Sequence, residues 1–146
     1  MSDPLARYQD LARDAEGRVT LSPEEWRAFL SPEEFRILRE SGTEPRGTGP
    51  LTDHEAEGDY HCAGCGLHLY SSAHKFHSGC GWPAFDDEVP NAVIRLEDRS
   101  CGVVRTEIRC KGCEGHLGHV FTGERLTSKN QRHCVNSASI VFAPKG

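Results

Sequence analysis

Two Cys-x-x-Cys pairs, Cys62-Ala63-Gly64-Cys65 and Cys110-Lys111-Gly112-Cys113, constrain this chain more than any other feature. Two thiolates separated by two residues can share one tetrahedral ion, because the turn between them lets both sulfurs face one point. Gly64 and Gly112 ease that turn in each pair. Four thiolates close the coordination shell, which marks a structural Zn²⁺ site, one per chain, rather than a catalytic one. Iron fits the same four sulfurs, so the metal is inferred from the ligand set. The competing reading is a pair of redox dithiols of the thioredoxin type. That motif belongs to a βαβ setting, and nothing in the chain reads as one.

The chain has 146 residues, and the usual size of domains makes it one domain. It carries 7 cysteines, an odd count, and no apolar core of a signal peptide lies between Met1 and Asp10. Both points argue against a disulfide-stapled secreted scaffold and for a cytoplasmic protein whose thiols bind metal or do chemistry. Lys and Arg number 17 against 22 Asp and Glu, a net charge of −5. Four thiolates around a dication make that balance more negative still, so a nucleic-acid partner is not expected. A membrane span is not expected either, since the longest apolar run, Ile140 to Ala143, is strand-sized.

Residues 1–20 are polar and read as a flexible lead-in, with 21–146 as a single domain. Two helix starts follow in tandem. Ser22-Pro23-Glu24-Glu25 and Ser31-Pro32-Glu33-Glu34 each place Ser at the N-cap, Pro at the first helical position and Glu at the third. Trp26, Phe29 and Leu30, then Phe35 and Leu38, fall at helical spacing. From Ser41 to Gly49 the chain reads as loop. Beyond it Gly and Cys become frequent, and runs such as Val104–Cys110 and Asn136–Phe142 alternate in the manner of strands. A mainly β, antiparallel domain with short N-terminal helices packed at one end is expected.

Three cysteines remain: Cys80, Cys101 and Cys134. If the last segment is extended, Arg132, Cys134, Asn136, Ala138, Ile140 and Phe142 share one face. The Arg132–Asn136 end of that face is polar, and a guanidinium beside a thiol favours the reactive thiolate. Cys80 sits in the glycine-flanked turn Ser78-Gly79-Cys80-Gly81-Trp82-Pro83, either a partner thiol or a bystander. Cys101 reads as incidental. His116 and His119 are redundant as metal ligands and serve either as general acids or as structural histidines.

Taken together these blocks resemble the methionine-R-sulfoxide reductases of the B type. The resemblance is carried by Gly42-Thr43-Glu44-Pro45, Tyr60 to Cys65, Ser78 to Phe85, Arg105-Thr106-Glu107, Cys110 to Cys113, His116 to Phe121 and Arg132 to Ala138. It spans about Pro23 to Pro144. It implies two small antiparallel sheets with N-terminal helices and a Cys₄ zinc. It implies Cys134 as nucleophile and Cys80 as resolving thiol, with Trp82, His116, His119, Arg132 and Asn136 lining the substrate site. The reaction implied is reduction of methionine R-sulfoxide, in peptides and proteins or free. His119, assisted by His116, supplies the proton, and a thioredoxin-like dithiol regenerates the enzyme; a monomer is expected. Three departures stand out: His133 replaces the usual aromatic before the nucleophile, Thr122-Gly123-Glu124 replaces a Pro-Asp-Gly turn, and Gly47 replaces an aromatic. Two other readings of the same fold are a zinc-binding redox sensor and a non-catalytic binding module.

Overall fold

The computed structural model describes residues 3–100 and 102–145, so Cys101 lies outside the described residues. Helices α1 (Pro23–Phe29) and α2 (Pro32–Glu40) start where the sequence places them. In each, the serine hydroxyl accepts the N–H of the third helical residue and that residue's carboxylate accepts the serine N–H: Ser22 with Glu25, Ser31 with Glu34. Both helices are too short to hold alone. Trp26, Leu30, Phe35 and Leu38 are buried in the common core, and docking there is what stabilises them.

Among the described residues nine strands follow: β1 (Gly58–Cys62), β2 (His68–Ser71), β3 (Lys75–Phe76), β4 (Ala84–Phe85), β5 (Val93–Asp98), β6 (Arg105–Cys110), β7 (His116–Thr122), β8 (Gln131–Val135) and β9 (Ile140–Pro144). They form a three-stranded sheet in the order β2-β1-β9 and a six-stranded sheet in the order β3-β4-β8-β7-β6-β5. Every pairing is antiparallel. Tyr60, Leu69, Tyr70, Phe85, Ile108, Leu117, Val135 and Ile140 join the helical residues in one core cluster. The expected mainly β fold with two antiparallel sheets is therefore present.

One local expectation changes. The final segment is not one strand: β8 ends at Val135, a 3-10 turn covers Ser137–Ser139, and β9 belongs to the other sheet. Cys134 and Asn136 thus stay near the six-stranded sheet while Ile140 and Phe142 pair with β1. In the described part of the lead-in, residues 3–20, most residues are exposed, but a few contacts tie the segment to the domain. Tyr8 is buried, and its hydroxyl donates to the Ala63 carbonyl at 2.8 Å. Arg13 Nη2 reaches the Cys65 carbonyl at 2.6 Å, and the Val19 N–H donates to the Gly112 carbonyl at 2.8 Å. These anchors meet backbone groups of the two Cys-x-x-Cys turns. A lone tyrosine in a polar segment has no periodicity to announce such contacts.

Candidate active site

The two Cys-x-x-Cys turns follow β1 and β6 and bring four buried sulfurs together. Cys62 Sγ lies 3.6 Å from Cys113 Sγ, Cys65 Sγ lies 3.5 Å from Cys110 Sγ, and all four fall within 4.8 Å of one another. Four thiolates on one zinc at about 2.3 Å would sit about 3.8 Å apart. The Gly64 and Gly112 N–H groups point at the Cys62 and Cys110 sulfurs, at 3.3 and 3.2 Å. Such donors stabilise thiolate charge, so the cluster fits a tetrahedral metal of this kind.

On one face of the six-stranded sheet, a cavity of about 280 Å³ is lined by Cys80, Trp82, His116, His119, Arg132, Cys134 and Asn136. The seven residues to which the family resemblance gives a role at the substrate site therefore meet at one place. Sheet register explains how. Cys134 pairs with His119 across β8 and β7, Arg132 pairs with Phe121, and the Cys80 turn immediately precedes β4, which pairs with β8 on its other side. Close approach of β7 to β8 requires Gly118, where a Cβ would collide with the Cys134 carbonyl.

Arg132 Nη1 donates to Cys134 Sγ at 2.7 Å, and Cys134 Sγ lies 3.0 Å from Cys80 Sγ. The Cys80 thiol is pulled down to about 5, first by the hydrogen bond from the Cys134 thiol and against its own burial, with the Arg132 charge adding. Cys134 is pushed well up by that same bond and by burial. Two sulfurs this close titrate as a unit. The adjacent guanidinium favours a negative charge on this pair.

Carboxylates not assigned at the sequence level hold the cationic groups. Glu124 accepts Arg132 Nε at 2.7 Å and Nη2 at 2.9 Å, a two-pronged pair that aims the third nitrogen at Cys134. Glu124 thus answers the Thr122-Gly123-Glu124 departure by reaching Arg132 itself. Arg132 also lies 4.5 Å above the Phe121 ring. His116 Nδ1 meets Glu107 Oε2 at 2.7 Å, and burial pushes the His116 pKa down despite that carboxylate. His119 Nε2 meets Asp98 Oδ2 at 2.7 Å. Hydrogen bonds from Ser100, then from His119, hold the Asp98 carboxyl well below its ordinary range.

Buried Glu44 organises the far wall. Its carbonyl accepts the Trp82 indole N–H at 3.0 Å, its N–H donates to Asn136 Oδ1 at 3.0 Å, and its carboxylate accepts the Ala138 N–H at 3.1 Å. Asn136 Nδ2 donates to the Leu117 carbonyl at 3.1 Å, which fixes its amide. Glu44 and Glu107 lie inside blocks already singled out in the sequence, so a search for buried acids would have reached them. Asp98 sits in a polar hairpin, and only the register of β5 on β6 and of β6 on β7 brings it to His119.

A family model described as "SelR domain" matches residues 30–144. A peptide methionine sulfoxide reductase B7 of Arabidopsis thaliana is 53% identical over 143 residues, covering 97% of this chain and 98% of that protein. A peptide methionine sulfoxide reductase B5 of Oryza sativa subsp. japonica is 56% identical over 132 residues, 90% of this chain and 95% of the relative. A bacterial peptide methionine sulfoxide reductase MsrB, from Leifsonia xyli subsp. xyli, is 47% identical over 135 residues, with 92% and 97% covered.

Proposed function

The chain belongs to the SelR-domain family of peptide methionine sulfoxide reductases of the B type, oxidoreductases acting on methionine sulfoxide, and from that membership we propose how its own residues carry the reaction. The observation that carries the reading is the Arg132–Cys134–Cys80 line, with contacts of 2.7 and 3.0 Å at the floor of the cavity.

Methionine R-sulfoxide, bound in a peptide or free, enters with its S-methyl group against the Trp82 ring. Passing the shared proton to Cys80 leaves the thiolate on Cys134, beside the Arg132 cation. That thiolate attacks the sulfoxide sulfur. The oxygen leaves this sulfur only as it is protonated, and His119, backed by ionised Asp98, supplies the proton with His116 assisting. Asn136 and Arg132 orient the sulfoxide. The protonated oxygen passes to the Cys134 sulfur as the new S–S bond breaks with its electron pair returning to methionine, which departs and leaves Cys134 as a sulfenic acid. The Cys80 sulfur displaces water from it, and a thioredoxin-like dithiol reduces the resulting disulfide.

The Cys₄ cluster takes one Zn²⁺, whose chemistry is structural, because four protein sulfurs leave no open position for substrate. A monomer in a reducing compartment such as the cytosol suits these thiols. Among the described residues, no helix is long and apolar enough to cross a membrane.

Turnover of a peptide carrying R- or S-methionine sulfoxide, with dithiothreitol or thioredoxin as reductant, tests the reading. R-selective turnover is expected, lost in Cys134→Ser, while Cys80→Ser loses only the thioredoxin-supported rate. Metal-loaded wild type that turns over neither epimer would overturn the reductase mechanism and favour a binding module or redox sensor.

A further inference from the structure

The turn that carries Cys80 has little structure of its own. Gly79 and Gly81 take φ values of +78° and +93°, and inside the turn the Cys80 N–H donates to Ser78 Oγ at 3.2 Å while Cys80 Sγ lies 3.3 Å from the Trp82 carbonyl oxygen. What fixes this turn comes from the loop before β1. Arg46 Nε donates to the Cys80 carbonyl at 3.0 Å and Nη2 to the Gly79 carbonyl at 3.0 Å. The Gly47 N–H donates to the Gly81 carbonyl at 2.8 Å. A Cβ on Gly81 would collide with the Arg46 stem, so the stem lies against the turn where only glycine leaves room. Three consecutive carbonyls, on both sides of the Cys80 sulfur, are thereby held by two neighbouring residues.

We propose that Arg46 is a positioning residue for the resolving step: it holds the Cys80 turn so that its sulfur stays within reach of Cys134. The inference rests on the roles proposed above for those two cysteines. Arg46 lies outside the cavity lining, so it acts on the thiol through the backbone and not on the substrate. In the step concerned, the Cys80 sulfur uses an electron pair to bond the Cys134 sulfenic sulfur. The S–O bond breaks, and the oxygen leaves as water with the proton from Cys80. A disulfide bond is about 2.05 Å long, so from the 3.0 Å seen here the sulfurs close by only a short travel. A turn freed of its clamp samples many arrangements in which that travel is longer. The planar fork of arginine spans two carbonyls, whereas a lysine ammonium reaches one at a time.

The test is a single turnover without reductant, comparing wild type, Arg46→Ala and Arg46→Lys. Methionine release reports the first step, loss of titratable thiols reports closure, and dimedone traps the sulfenic acid. Arg46→Ala is expected to release methionine at the wild-type rate and to close the disulfide roughly tenfold more slowly, the worth of one or two hydrogen bonds. Its sulfenic acid becomes trappable, and Arg46→Lys recovers part of the closure rate. Unchanged closure in Arg46→Ala, or methionine release falling in step with closure, overturns the proposal. Hydrogen peroxide in place of the peptide oxidises the thiolate of the Cys80–Cys134 pair to a sulfenic acid, which the other thiol then closes. A wild type that closes with peroxide yet releases no methionine would therefore fail as a reductase while leaving the clamp measurable.

Discussion

His133 stands beside Cys134 in β8 but faces the opposite side of the strand, fully buried. Tyr70 Oη lies 3.0 Å from its Nδ1, Gln131 Oε1 3.2 Å from its Nε2, Arg95 Nη2 3.5 Å from the same nitrogen, and Glu88 Oε1 3.9 Å away. Burial, and then the Arg95 charge, push its pKa down to about 4. An unfolded histidine titrates near 6.5, so between these values the unfolded chain binds the extra proton. The stability contributed by keeping His133 neutral is complete above pH 6.5 and is lost as pH falls towards 4. From pH 7 to pH 5 the loss amounts to about 2 kcal/mol. Urea denaturation at the two pH values measures it. His133→Phe is expected to be less stable at both, because Tyr70 loses its partner, but to show a smaller difference between them. An undiminished difference would assign the acid sensitivity elsewhere. At this scale Cys134 and Arg132 could be placed together from strand spacing, whereas Cys80, His116 and His119 stayed open until the family resemblance gave them roles. The carboxylates were less legible: Asp98 gains its partner His119, and Glu107 its partner His116, only once β5, β6 and β7 are in register.

Helix starts were legible for the opposite reason, since a capping box is complete within four residues. The α2 cap serves two elements, because Glu34 also pairs with Arg7 of the N-terminal segment at 2.8 Å. Ser31→Ala removes the hydroxyl that accepts the Glu34 N–H, and a loss of about 1 kcal/mol in chemical denaturation is expected. No loss would mean that docking of Phe35, Ile37 and Leu38 alone sets the stability of α2. The end of the chain was less legible. Alternation runs straight through Asn136, Ala138 and Ile140, yet the segment turns there. Ser139 Oγ donates to the His116 carbonyl at 2.9 Å and the Ala138 N–H to Glu44, partners that no local pattern contains.

For the molecule as a whole, the Cys₄ cluster joins the turn after β1 in one sheet to the turn after β6 in the other. Zinc analysis is expected to give one equivalent per chain. Stripping it with a chelator leaves four buried sulfurs without their common partner, so the urea midpoint should fall steeply while four thiols become titratable. A midpoint indifferent to the chelator would remove the metal from any structural role. The metal cluster was legible from these four cysteines, and the antiparallel β class from the alternating runs, while the two-sheet arrangement came with the family resemblance. What was not legible is the wrapping of residues 3–20 around the cluster, because its anchors are backbone carbonyls, which every sequence possesses.

That wrapping also bears on the order in which the protein can be completed. Tyr8 waits for Ala63, Val19 for Gly112, and Arg18 for Glu114, which lies 96 positions further along. Pairings so distant in sequence are the slow ones to form. During synthesis Tyr8, Arg18 and Val19 can all settle only once the chain has emerged as far as Glu114, long after they themselves were made.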